Sequence, residues 1–139
     1  MNKTKVVFTN GCFDVLHRGH LELLRHCRSL GRWVIVGLNS DESVRRLKGA
    51  SRPIVSQDDR KAILEELNCV DEVIIFNEDT PYELIQREKP DIIVKGGDYK
   101  NENVVGNDLA DVIIFDSIDG YSTTEMIEKM NDKKGCGGH

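Results

Sequence analysis

At 139 residues the chain suits one compact domain, and 39% apolar with 31% charged residues exclude both a disordered chain and a membrane-embedded one. Nineteen basic against 24 acidic side chains give a formal charge of -5, which argues against broad electrostatic binding of nucleic acid. No apolar run approaches the ~20 residues needed to span a bilayer, and Val6-Val7-Phe8 is too brief for a signal peptide, so a cytoplasmic location is expected.

In chain order, five short apolar runs read as strands: residues 5–9, 33–38, 72–76, 91–95 and 111–115. Each is nearly continuous in Val, Ile or Phe, as parallel strands covered on both faces are. Helical patterns separate them. Residues 18–30 space Leu21, Leu24, Cys27 and Leu30 helically, with Gly31 as the stop. Ser40 is positioned to cap a short helix through Leu47, and Ser56 one through Leu67. Thr80-Pro81-Tyr82-Glu83 reads as a capping box with proline at the first helical position, and Ser122-Thr123-Thr124-Glu125 opens a final helix to about Met130. Of the apolar positions between residues 62 and 91, Ile63, Leu64, Leu67, Leu84 and Ile85 are expected in the core, and Trp33 is expected to pack. Alternating strands and helices predict an α/β fold: a Rossmann-like, doubly wound, five-stranded parallel sheet in three α/β/α layers and a single domain. Residues 1–131 form that domain, and residues 132–139 are expected to be a flexible tail.

The cysteines Cys12, Cys27, Cys69 and Cys136 form no CxxC pair, so metal and redox chemistry have no support. Cys27 and Cys69 fall in helical patterns and are expected to fill core space. Charge is unevenly placed. Residues 45–60 hold five basic side chains (Arg45, Arg46, Lys48, Arg52, Arg60) and two acidic ones, whereas residues 62–91 hold nine acidic and two basic. A basic island on an acidic protein suits a small polyanion.

In doubly wound sheets ligands bind beyond the carboxyl ends of the strands. Just there, after the first strand, runs Thr9-Asn10-Gly11-Cys12-Phe13-Asp14-Val15-Leu16-His17-Arg18-Gly19-His20. Gly11 permits a tight turn and close approach of backbone N–H groups to a phosphate. His17 and His20 lie three apart at a helix start, where both can face one way and where the helix N-terminus favours an anion. Gly19 leaves room for a nucleotide against the backbone. Zinc is the competing use of two histidines, but no third ligand is evident nearby. Asp14 suits a metal-linked, substrate-binding or turn-forming role. Cys12 as a covalent nucleophile would need an activating base, for which His17 is the one candidate.

Residues 9–20 resemble the signature of the nucleotidyltransferase superfamily that carries an HxGH motif, here His17-Arg18-Gly19-His20. Ser122-Thr123-Thr124 resembles that superfamily's second signature. Asn39-Ser40-Asp41, Arg46-Leu47-Lys48-Gly49, Arg52-Pro53, Asp71 and Val94-Lys95-Gly96-Gly97-Asp98-Tyr99 extend the likeness across nearly the whole chain. The set resembles the adenylyltransferase domain acting on D-glycero-β-D-manno-heptose 1-phosphate. Related glycerol 3-phosphate cytidylyltransferases carry an arginine where this chain has Ser117.

The resemblance implies attack of a sugar 1-phosphate on the α-phosphorus of ATP, giving an ADP-sugar and pyrophosphate. A phosphate monoester's second pKa is about 6, so the nucleophile is already an anion and needs no strong base. What is needed is alignment of two repelling phosphates and stabilisation of the leaving charge. The resemblance then assigns catalysis to His17, His20 and Lys48. Nucleotide binding falls to Thr9, Asn10, Gly11, Cys12, Phe13, His17, Gly19, His20, Lys48, Gly96, Gly97, Asp98, Ser122, Thr123 and Thr124. Asp14 and Arg60 are expected on the acceptor, although Arg60 could instead pair with neighbouring acids. Mg2+ is expected to arrive with the triphosphate, with no metal ligand named in the protein. A homodimer, and a sugar kinase on a separate chain, are implied as partners; nucleic acid and membrane are not. Two other readings stay open: a cytidylyltransferase for glycerol 3-phosphate or a similar polyol phosphate, and a nucleotide-binding module without turnover.

Overall fold

A computed structural model of the chain describes residues 4–97 and 103–115. Five parallel strands, β1 (Val6–Gly11), β2 (Trp33–Asn39), β3 (Glu72–Phe76), β4 (Ile92–Gly96) and β5 (Asp111–Phe115), form one sheet in the order β3-β2-β1-β4-β5. Helices α1 (Arg18–Leu30), α2 (Asp41–Lys48), α3 (Gln57–Glu65) and α4 (Tyr82–Glu88) lie between them. The Rossmann-like doubly wound architecture read from the sequence is the one observed.

Continuous apolar strands are explained by their alternation. Phe8, Ile35 and Ile93 point to one face, where Leu84 and Ile85 of α4 cover them. Val7, Val34, Val36, Leu38 and Val94 point to the other, against Leu24 and Cys27 of α1 and Leu64 of α3. A half-exposed sheet would have left every second position polar.

Two aspartates set the register at the amino ends of the strands. Asp71 accepts a hydrogen bond from Val34 N (2.8 Å) while its own N–H donates to Val34 O (3.0 Å). Asp91 repeats the device on Val6, accepting from its N (2.8 Å) and donating to its O (2.8 Å). Asp71 also holds Arg28 (2.6 Å). It therefore works at the end of the sheet opposite the ligand side.

Several local expectations change. Helix α4 begins at Tyr82 with Pro81 before it, and no side chain caps it, so the capping box read at Thr80 is not formed. Gly31 ends α1 in an extended conformation (φ -164°), not a left-handed one. Its value is space: a Cβ there would stand 2.5 Å from Lys5 O, where the chain enters β1. Helix α3 stops at Glu65, and Cys69 lies in the turn after it, partly buried against the core. Ile63 is 48% exposed, because Arg60 and Leu64 occupy the inward face of α3. Trp33 is also exposed, its indole Nε1–H donating to Glu72 (3.2 Å). Asp98, Ser122, Thr123, Thr124, Ser117, the final helix and the tail at 132–139 lie outside the described residues. No helix among the described residues is long and apolar enough to cross a membrane.

Candidate active site

In this strand order the topology reverses between β1 and β4, and their carboxyl ends diverge there. A cavity of about 540 Å³ opens at that point. Its walls come from the ends of β1 (Asn10, Gly11) and β4 (Lys95, Gly96), from the β1–α1 loop, from the first turn of α1, and from Lys48 at the end of α2. Asp79, Thr80 and Pro81 before α4, and Asn103, Val104 and Val105 before β5, close it on the far side.

The two histidines are built into the start of α1. His17 is the N-cap residue, and its Nδ1 accepts from Gly19 N (3.1 Å). Its own N–H donates to Nδ1 of His20 (3.2 Å). The rings stack, with centroids 3.9 Å apart and planes 23° from parallel. A neutral imidazole that accepts through Nδ1 carries its proton on Nε2, so the cap fixes both rings as Nε2–H donors. Burial, then the neighbouring His17 and Lys48, push the His20 pKa down to about 3. His20 is thus a neutral donor throughout the physiological range. Phe13 backs it, with ring centroids 5.0 Å apart. Phe13 itself takes the left-handed conformation (φ 47°) in this loop.

Of the expected site residues, Asn10, Gly11, Cys12, Phe13, His17, Gly19, His20, Lys48, Gly96 and Gly97 line this cavity together. Gly97 turns with φ 99°, a conformation that favours glycine, and its N–H donates to Phe115 O (3.1 Å). Thr9 is not on the wall; it is fully buried in β1, and its Oγ1 has no hydrogen-bond partner among the described residues. Burial, the largest influence, raises the Cys12 thiol above its usual range despite nearby Lys48 and Arg60, which leaves it a poor nucleophile.

Asp14 and Arg60, expected on the acceptor, have internal work. The Asp14 carboxylate accepts from Ile54 N (2.8 Å), Val55 N (2.9 Å) and Arg52 Nε (2.9 Å). Burial alone would raise its pKa, but the Val55 and Ile54 amides and Arg52 outweigh that and hold it below the usual carboxylate range. Arg60 is 2% exposed. It donates to Val55 O (2.9 Å), Cys12 O (2.7 Å), Asn39 O (2.8 Å) and Asp41 Oδ1 (2.7 Å), joining four segments beneath the site. Arg46 is likewise paired with Asp79 (2.9 Å). Two members of the basic island, Arg52 and Arg60, are therefore internal wiring, Arg45 and Arg46 lie on the exposed surface of α2, and Lys48 is its one member on the cavity wall.

The sequence motifs assign no site role to Lys95, Leu23, Leu47, Phe115 or the 79–81 and 103–105 segments, all of which line the cavity. Lys95 carried a signal, since a lysine closing a buried parallel strand is rare without a use. The two segments carried none, because strand order alone brings them to the site.

A cavity at the topological switch, lined by two stacked imidazoles at a helix start, lies where open α/β sheets take their ligands. The chain belongs to the cytidylyltransferase-like family, whose model matches residues 8–136. The resemblance read from the HxGH segment holds at that level, and the chain is an enzyme of the nucleotidyltransferase class. It is 56% identical over 133 residues to the bifunctional protein HldE of Campylobacter concisus, covering 95% of this chain and 28% of that protein. The HldE protein of Helicobacter pylori strain J99 is 54% identical over 130 residues, covering 93% and 28%. The chain thus spans under a third of these relatives. A lipopolysaccharide core biosynthesis protein from Thermoplasma volcanium superposes with a TM-score of 0.71 at 27% identity, over 83% of this chain and 98% of that one. A Francisella tularensis NMN adenylyltransferase/ADP ribose pyrophosphatase shares the fold alone, at 15% identity, TM-score 0.65, over 93% and 42%.

Proposed function

We propose that the chain transfers AMP from ATP to a sugar 1-phosphate, D-glycero-β-D-manno-heptose 1-phosphate being the favoured acceptor. The observation that carries this is the stacked pair His17 and His20, whose Nδ1 atoms are both taken up at the start of α1 and whose rings line the cavity at the ends of β1 and β4. The HldE relatives and the lipopolysaccharide core protein favour a sugar-nucleotide product.

A phosphate oxygen of the acceptor forms a bond to the α-phosphorus, and the bond from that phosphorus to the bridging oxygen breaks. Pyrophosphate leaves with the electron pair. Backbone N–H groups around Gly11 and Cys12 hold the α-phosphate, while the two imidazoles donate to the charge growing on the leaving group. Lys48 offsets the repulsion between the substrates. Magnesium enters as part of the MgATP substrate. Asp79, a carboxylate on the cavity wall, is ion-paired with Arg46.

Pyrophosphate release should be measured with ATP and CTP across heptose 1-phosphate, other sugar 1-phosphates and glycerol 3-phosphate. ATP with a sugar 1-phosphate should exceed the other pairs at least about tenfold. CTP with glycerol 3-phosphate as the best pair would establish the cytidylyl alternative, and nucleotide binding without release would make the chain a non-catalytic module. A sugar kinase supplying the acceptor, and a homodimer, belong to the same proposal.

A further inference from the structure

Lys95 is the penultimate residue of β4, in register with Ile114 of β5. Two residues before it, Ile93 packs into the core under α4, so Lys95 leaves the sheet on that face and the α1 histidines approach from the other. It nevertheless lines the same cavity as His17, His20 and Lys48, because the cavity sits across the carboxyl ends of β1 and β4. Lys48 acts electrostatically on His20, Cys12 and Lys95, which places it within reach of groups on both sides of the space. Among the described lining residues, Lys48 and Lys95 are those with a formal positive charge, since His20 is neutral and Arg46, Arg52 and Arg60 lie off the wall.

A sugar phosphate carries about -1.5 to -2 charges at pH 7, and it must approach a triphosphate that repels it. Neutral imidazoles can donate hydrogen bonds but cannot neutralise that charge. We propose that Lys95 is a substrate-contacting residue that binds a phosphate group across the cavity from the histidines, forming with Lys48 a two-lysine clamp. The proposal rests on the nucleotidyltransferase reading of the cavity but assigns a residue that the HxGH resemblance left without a role. Burial is in keeping with it: desolvation is the largest influence and lowers the Lys95 pKa, with Cys12 raising it and Lys48 lowering it, so an arriving phosphate would favour the charged ammonium. A lysine kept there only to fill space would be better replaced by an apolar side chain.

Lys95→Met keeps length and removes charge, and Lys95→Arg keeps charge. Calorimetric titration with inorganic pyrophosphate, MgATP and a sugar 1-phosphate would read binding, and steady-state kinetics would give KM for each substrate. Lys95→Met should weaken pyrophosphate or phosphate-ester binding at least about tenfold, with an unchanged or higher Tm, and Lys95→Arg should recover part of the loss. A rise confined to the KM for ATP places Lys95 on the donor, and one confined to the acceptor places it there. Unchanged affinity for all three probes in a folded Lys95→Met protein would overturn the proposal. Pyrophosphate binding that depends on Lys95 in a wild type that turns over no pair would sink the catalytic reading and leave the phosphate site standing.

Discussion

The His17 imidazole closes the first turn of α1 through Nδ1 while its ring lines the cavity, so a capping role and the proposed chemical role meet in one ring. The two can be separated. His17→Ala should lower kcat at least about 100-fold and also cost about 1 kcal/mol for the lost cap. His17→Asn should restore most of the stability and none of the rate, read by urea melts beside turnover. His20 makes a further, pH-dependent prediction. Its folded pKa is about 3 against about 6.5 for an unfolded histidine, so the unfolded chain takes up a proton first as pH falls. Stability from this residue is complete above pH about 6.5 and drains between there and pH about 3, at up to about 1.4 kcal/mol per pH unit. In a His20→Gln variant that slope should be missing; an unchanged slope would mean the ring is solvated. Asp14 adds a second acid limb. Its lowered pKa stabilises the fold above pH about 3.8 and that share is lost below, so Asp14→Asn should flatten the limb.

Helix α3 shows how an element can be legible while its purpose is not. Ser56 capping its start and Leu64 facing inward follow from spacing, and Ser56 does accept from Asp59 N (3.4 Å). Its place one turn into a helix leaves Arg60 two sequence readings, a clamp on the acceptor or a partner for neighbouring acids. It is the buried hub joining the β1–α1 loop, the end of β2, the start of α2 and the loop before α3. Charge counts reveal excess but not pairing, and the carbonyls of Cys12, Asn39 and Val55 have no sequence signature. Arg60→Ala should lower unfolding free energy by about 3 kcal/mol, since it removes a buried guanidinium that pairs with Asp41 and satisfies the carbonyls of Val55, Cys12 and Asn39. The denaturant midpoint would report it, and a loss of activity with full stability would return Arg60 to the substrate.

Over the whole molecule, the cavity gathers from both faces of the sheet what the chain keeps far apart, and ligand binding should stabilise the fold accordingly. MgATP at 100 times its Kd should add about 2.7 kcal/mol, visible as a rise in Tm that CTP at the same concentration does not match. Equal shifts would place base selection outside the described walls. The sequence by itself determined the five strands, the parallel α/β class and the histidine signature, because these follow from local periodicity, caps and spacing within a dozen residues. Only the tertiary structure decided that Asp14 and Arg60 support the site from beneath, that Lys95 reaches it, and that residues 79–81 and 103–105 enclose it. Those depend on which charges find internal partners and on which strand ends meet, and both are set when the crossovers lay β4 beside β1.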